Sequence, residues 1–235
     1  MKYLKTIAIF FFDILDKYIH QRRILNCLNK NELKINIFFD VGSHKGTYTD
    51  LFIKNFSIKK AYIFEPQDKI FKFIKKKYKK DKRIIVSNKA ISNFNKVKKF
   101  LINKHDLTSS LTPLNEANIY LKFKSLLFGG NSMVVGSYNV KTIKLDDFIT
   151  RNKVKSVDLL KIDTEGHEYQ VLFGLGKQIN KVKAILIEFH NDKIYKKYDS
   201  KKIHRYLVKN NFELKRKIKF PFTEWEDRIY FANRV

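Results

Sequence analysis

A chain of 235 residues with 44% hydrophobic residues can bury one sizeable core, and one domain with a small extension is expected. Its 49 Lys and Arg against 23 Asp and Glu give a net charge of +26, a field that draws polyanions without saying which. The lysines are spread over every segment, amid many Asn, Ile, Phe and Tyr, so the excess is read as largely compositional. Cys27 is the single cysteine, which rules out an internal disulfide, argues against a cysteine-based metal site and fits a reducing, cytoplasmic setting.

In chain order, residues 1–34 read as a helical extension. The apolar opening from Ile7 to Leu15 is interrupted by Asp13, has no small-residue cleavage site after it and is too short to span a bilayer. Lys2, Lys5, Lys17, Arg22 and Arg23 flank it, which leaves open a peripheral contact of residues 1–25 with an anionic membrane beside packing on the domain or an oligomer contact. From residue 35 to 235 the pattern is that of one α/β domain. Ile35 to Val41 is an apolar run ending in an acid, which reads as a buried parallel strand, and Thr47 to Phe56 reads as the first helix. Lys60 to Glu65 follows as a strand, then Gln67 to Lys79 as a helix with Ile70, Phe71 and Ile74 on one face, then a strand at Ile84 to Val86. Residues 93–140 are irregular, with a strand at Lys98 to Ile102, a polar loop from His105 to Leu111 and a loop at Gly129 to Ser132; such a segment suggests a lid over a substrate. The α/β rhythm resumes with a strand at Val157 to Asp163, a helix from Glu168, a strand at Val182 to Phe189 and a helix over Ser200 to Lys209. Phe212 to Lys219 and Arg228 to Ala232 form a closing hairpin. Strands alternating with helices at this spacing predict βαβ units and a parallel sheet.

Chemistry concentrates at the strand ends. Asp40, Gly42 and Gly46 lie between the first strand and the first helix, where glycines allow close backbone approach and a helix N-terminus offers free N–H groups. The spacing is GxxxG, not the GxGxxG of dinucleotide sites, and no Walker lysine pattern occurs. An acid at that strand end suits a ligand with a positive amino group, such as S-adenosylmethionine. Glu65 ends the adjacent strand, placed to accept both ribose hydroxyls of a nucleoside.

Four segments together resemble the FkbM family of methyltransferases: Asp40 through Thr49, Phe64-Glu65-Pro66, Lys144 through Phe148, and above all Leu159 through Glu168 with its KIDxEG block. The similarity runs from about Ile35 to Phe189. It implies a Rossmann-like class I methyltransferase fold, with a seven-stranded, mostly parallel sheet flanked by helices. It also implies S-adenosylmethionine at the sheet's carboxyl edge and an acceptor hydroxyl on a sugar, polysaccharide or small metabolite. Asp40, Gly42 and Gly46 would frame the methionine part, Glu65 would hold the ribose, Ser87 and Asn88 would sit beside the adenine, and Ser43, His44, Tyr48 and Asp163 complete the cofactor-binding set. His44 departs from the asparagine usual in the family.

Asp163 ends the fourth parallel strand, facing both cofactor and acceptor in this reading. Glu165 follows it, and His190 ends the next strand. Transfer to oxygen calls for a base, and His190 is the first choice because an imidazole titrates near neutrality. Asp163 is second, and Glu165 completes the catalytic set. Mg²⁺ is compatible with so many oxygens, yet no spacing demands it and no metal ligands are assigned. A nucleic-acid methyltransferase, or an RNA- or anionic-membrane-binding protein on the same fold, would also use the basic surface. The Pro-Pro-Tyr or Pro-Pro-Phe loop and the nucleophilic cysteine of the common nucleic-acid enzymes are absent. His167 and Glu168 are equally compatible with capping a helix at the surface.

Overall fold

Apolar runs without alternation become strands covered on both faces. The computed structural model describes residues 15–103, 109–118, 121, 134–221, 223 and 225–233. In chain order these form α1 (Gln21–Lys30), β1 (Ile37–Val41), α2 (Thr47–Asn55), β2 (Lys60–Phe64), α3 (Asp68–Lys77), β3 (Ile84–Ser87), β4 (Ala90–Ile91) and β5 (Val97–Asn103). There follow β6 (Val134–Ile143), α4 (Leu145–Arg151), β7 (Val157–Ile162), α5 (Glu168–Phe173), β8 (Val182–His190), α6 (Ser200–Lys209), β9 (Phe212–Lys219) and β10 (Trp225–Ala232). The main sheet has seven strands in the order β3-β2-β1-β7-β8-β10-β9. It is parallel from β3 to β8 and antiparallel through the closing hairpin, as expected.

Successive residues serve opposite faces. Phe39, Val41, Tyr62, Phe64, Leu160, Ile162, Ile185 and Ile187 join one core with Leu145, Ile149, Val171 and Leu172 of α4 and α5. Phe38, Ala61, Leu159, Ala184 and Leu186 join the other with Phe52 of α2. Ile24 and Leu28 of α1 are fully buried in that second core, so the described part of the extension packs on the sheet. Each such side chain contributes on the order of 1.5–3 kcal/mol by leaving water. The run from Ile7 to Ile14 and the 129–132 loop lie outside the described residues.

Two boundaries differ from the sequence reading. Strand β10 begins at Trp225 rather than Arg228, because Trp225 and Glu226 pair with His190 and Phe189 across the ladder. Within the segment read as irregular, Val134–Ile143 is a long strand pairing with β5 and β4 in a second, three-stranded sheet. Its period-2 signal is weak because most of its residues stay accessible and only Val140 and Thr142 are buried. Residues 109–118 lie over the loop after β7: Ser110 Oγ donates to the Thr164 carbonyl at 3.0 Å, and Leu114 pairs with Tyr195.

Candidate active site

The parallel strands β1, β2, β3, β7 and β8 all end on one edge, where the backbone turns through loops and unpaired peptide groups face a common space. At the end of β1, Gly42 has φ +77°, and a Cβ there would stand 1.7 Å from the Asp163 carbonyl oxygen. Gly46 has φ +79°, with its would-be Cβ 2.4 Å from the Tyr78 hydroxyl. In this structure the close approach that demands glycine is to the chain itself. His44, between them, also has a positive φ of 45°, a conformation that asparagine and histidine adopt more readily than most residues.

Asp40 is fully buried and turned inward: Thr49 Oγ1 donates to it at 2.6 Å and the Lys161 ammonium lies 3.6 Å away. Lys161 also donates to the Gly42 carbonyl and to Asp163, both at 3.1 Å, and sits over the Tyr48 ring. Burial pushes the Lys161 pKa down, but Asp163 and Asp40 more than offset it and hold it above the ordinary value. Tyr48 points to Asp227, donating at 3.0 Å. Asp227 also bonds His20, at 2.8 Å, which ties the N-terminal segment to the hairpin.

Glu65 is buried at the end of β2, where the His44 N–H at 3.0 Å and the Gln67 N–H at 2.7 Å each reach one of its oxygens. Burial pushes its pKa up to about 7, with those two amides pulling the other way. Each oxygen keeps a lone pair for a further donor. The Ser87 carbonyl accepts the Glu65 N–H at 3.1 Å, and Asn88 donates to Asp68 at 3.0 Å. Among the described residues, Ser43 Oγ and Asn88 Oδ1 are buried atoms without a hydrogen-bond partner. They lie on the loops flanking the Glu65 strand, so three loops present unused polar capacity to one another.

On the other half of the edge, the loop after β7 carries Asp163, Glu165 and Glu168. Asp163 is partly exposed; burial would raise its pKa, but Lys161 and a hydrogen bond from Glu188 hold it below the usual carboxylate range. Glu188 is pushed well upward, first by burial and then by Asp163, so it holds the proton of the pair. Glu165 has φ +55° and accepts a short hydrogen bond from Tyr195; burial, with Asp163 beside it, takes its pKa up to about 7. His190 is buried between Glu188 (3.8 Å from Nδ1) and Glu168 (3.9 Å from Nε2), with the rings of Tyr195 and Tyr198 against it. Its Nε2 is a buried nitrogen without a hydrogen-bond partner among the described residues.

His167 and Glu168 are buried, not surface caps. His167 bonds the hydroxyls of Ser92 and Thr112, and burial takes its pKa down to about 4, leaving it neutral. Glu168 accepts the N–H groups of Thr164 and Gly166 and so shapes the loop that carries Asp163 and Glu165. The sequence reading gave no role to Lys161, Thr49, Tyr195 or Asp227. Lys161 had a signal: a lysine in the buried part of a strand, next to a strand ending in Asp40, needs a carboxylate. The others are joined to the site only by tertiary packing. No group of three or more His, Cys, Asp or Glu side chains among the described residues is arranged to hold a metal ion.

Residues 40–214 match the model of the methyltransferase FkbM domain. The chain belongs to the FkbM methyltransferase family. A 55-residue stretch, 23% of this chain and 23% of the relative, is 34% identical to the hexuronic acid methyltransferase AglP of Haloferax volcanii. Among solved structures, this chain resembles methyltransferase FkbM from Methylobacillus flagellatus KT, with a TM-score of 0.55 and 14% identity over 85% of this chain and 44% of that one. It also resembles TrmK of M. capricolum, solved with S-adenosylhomocysteine, with a TM-score of 0.51 and 12% identity over 92% of this chain and 69% of that one. The chain thus spans under half the length of the first of these proteins. No helix among the described residues is long and apolar enough to cross a membrane.

Proposed function

We propose that this enzyme methylates a hydroxyl of a sugar unit, with His190 as the base. The observation that carries the reading is the split edge: unused polar atoms of Ser43, Glu65 and Asn88 on one half, and the buried, unpartnered His190 Nε2 among carboxyl groups on the other. The first half fits S-adenosylmethionine. Glu65 would take the ribose hydroxyls, Asn88 and Ser87 the adenine side, and Ser43 with the 42–46 backbone the methionine side. When bound, that cofactor supplies an electron-poor methyl group on a sulfonium sulfur. Asp40 in this reading acts through Lys161 and Thr49, holding the loop, and Tyr48 shields the Lys161 ammonium. His190 takes the acceptor's hydroxyl proton at Nε2 as that oxygen gains the methyl group, and the carboxyl groups of Glu188 and Glu168 receive the new imidazolium charge. The partial match to a hexuronic acid methyltransferase supports a sugar acceptor.

Glu65→Ala tests the cofactor half. Losing two charge-assisted hydrogen bonds is expected to weaken S-adenosylhomocysteine binding by about 10- to 100-fold in calorimetry. It also strands the His44 and Gln67 N–H groups, so the melting temperature should fall by a few degrees. Unchanged affinity would remove Glu65 from the site.

A second expectation follows from the same carboxyl. Its pKa of about 7 means that it carries a proton at lower pH. Ribose hydroxyls donate to the ionised form, so affinity should fall as pH drops through about 7, by up to about tenfold per unit. Linkage then requires proton release on binding near neutrality, which calorimetry in buffers of different ionisation enthalpy measures. For stability the sign is opposite: the folded pKa lies above the ordinary value of 4.5, so this group's contribution is lost as pH rises from about 4.5 to about 7.

A further inference from the structure

The second sheet reaches the cofactor half of the edge through a side chain that the proposed mechanism does not use. Tyr138 lies within β6, its ring beside Phe100 at 5.8 Å in the small core that Ala90, Phe100 and Val140 form with Leu111. Its hydroxyl extends from that core to the turn between β2 and α3, where it donates to the Pro66 carbonyl at 3.4 Å and accepts the Asp68 N–H. The start of α3 needs such a partner. Gln67, its N-cap, makes no capping bond through its side chain, and the first N–H groups of a helix have no acceptor within it.

The contact is more than a cap because of the peptide it holds. The Pro66 carbonyl and the Gln67 N–H belong to one planar, rigid group, so fixing one end aims the other. That Gln67 N–H is the donor that grips Glu65 Oε1 at 2.7 Å. The bonds therefore run in line, from the Tyr138 hydroxyl through the 66–67 peptide to the Glu65 carboxyl, and each polarises the next. The other Glu65 oxygen is held by the His44 N–H at 3.0 Å, from the loop after β1. Lys161 of β7 and Asp40 of β1 act on the same carboxyl with opposite signs, and both stay in place when Tyr138 is changed.

We infer that Tyr138 is a positioning residue for the cofactor's ribose, holding through the Pro66–Gln67 peptide the N–H that aims Glu65. The inference rests on the reading of Glu65 as the ribose acceptor and deepens it. It gives the second sheet a task on the cofactor side, where the sequence suggested a lid over a substrate.

Tyr138→Phe removes the hydroxyl and keeps the ring on Phe100, so the variant should fold and melt close to the wild type. Calorimetry then titrates S-adenosylhomocysteine into both full chains between about pH 6 and about pH 8.5. The Gln67 N–H lowers the Glu65 pKa, which burial has pushed up to about 7, so a slackened peptide lets it climb further. At the lower pH the variant should bind about three- to tenfold more weakly than the wild type. At the higher pH, with the carboxyl ionised in both proteins, the two should agree within about twofold, and the midpoint of the variant's profile should lie about 0.5 to 1 pH unit higher. A cap that only stabilises the fold would leave the midpoint where it is. An unmoved midpoint, or a loss of the same size at both ends of the range, overturns the assignment. A flat wild-type profile, or a Glu65→Gln protein that binds S-adenosylhomocysteine as tightly as the wild type at the higher pH, would instead overturn the ribose reading of Glu65 itself.

Discussion

His190→Ala should lower turnover by about 10²- to 10⁴-fold, the usual contribution of a positioned general base, while S-adenosylhomocysteine affinity stays within about twofold. The split is expected because His190 belongs to the acceptor half of the edge, where Glu188 and Glu168 flank it at 3.8 and 3.9 Å, and touches none of Ser43, Glu65 or Asn88. Its neighbours also define the control. Glu188→Gln keeps the shape and removes the group that shares a proton with Asp163, so the pH at which the rate rises should move without loss of cofactor binding. Full activity in His190→Ala would hand the base role to Asp163, whose pKa is held low enough for it to stay ionised.

Lys161→Met should destabilise the fold by about 3–5 kcal/mol, the loss typical when one partner of a buried ion pair is removed. Asp40 is fully buried and its carboxylate would keep only the Thr49 hydroxyl, while Asp163 and the Gly42 carbonyl would each lose a donor at 3.1 Å. In a chain of this size that is a drop in melting temperature on the order of 10 °C. Adding Asp40→Asn should recover part of it, since the uncompensated charge is then gone. A single variant that melts with the wild type would show that Lys161 does not balance these acids.

The parallel sheet was legible because its central strands are short, mainly apolar stretches with both faces buried, and because Asp40, Glu65 and Asp163 mark where those stretches stop. The placement of side chains was less so. Asp40 reads from sequence as a partner for a ligand's amino group, yet its nearest cation is Lys161 of the same chain, a partner supplied by a strand adjacent only in the fold. Glu65 reads as a free acceptor whose loss spares the fold; its bonds to His44 and Gln67 are visible only once the loop is closed around it. The Val134–Ile143 strand escaped because its alternation in burial is not mirrored in hydropathy: Gly136 and Thr142 stand on its inner side and Val135 on its accessible one. Trp225 is separated in sequence from every motif, and only the antiparallel register sets it opposite His190.

The bond from Lys161 to Gly42 and Asp163, with the Gly42 backbone pressed against the Asp163 carbonyl, makes one fixed frame of the two inner strand ends. Residues in that frame are poor places for change, since each exchange strands a charge or forces a clash. Positions on the exposed face of α3, such as Lys69 and Lys76, lie outside that frame. Sequence drift is therefore expected to collect on such outer positions and to spare the two strand ends. A library randomised at Lys69 and Lys76 should keep its folded fraction, while one randomised at Gly42 and Lys161 should lose most of it.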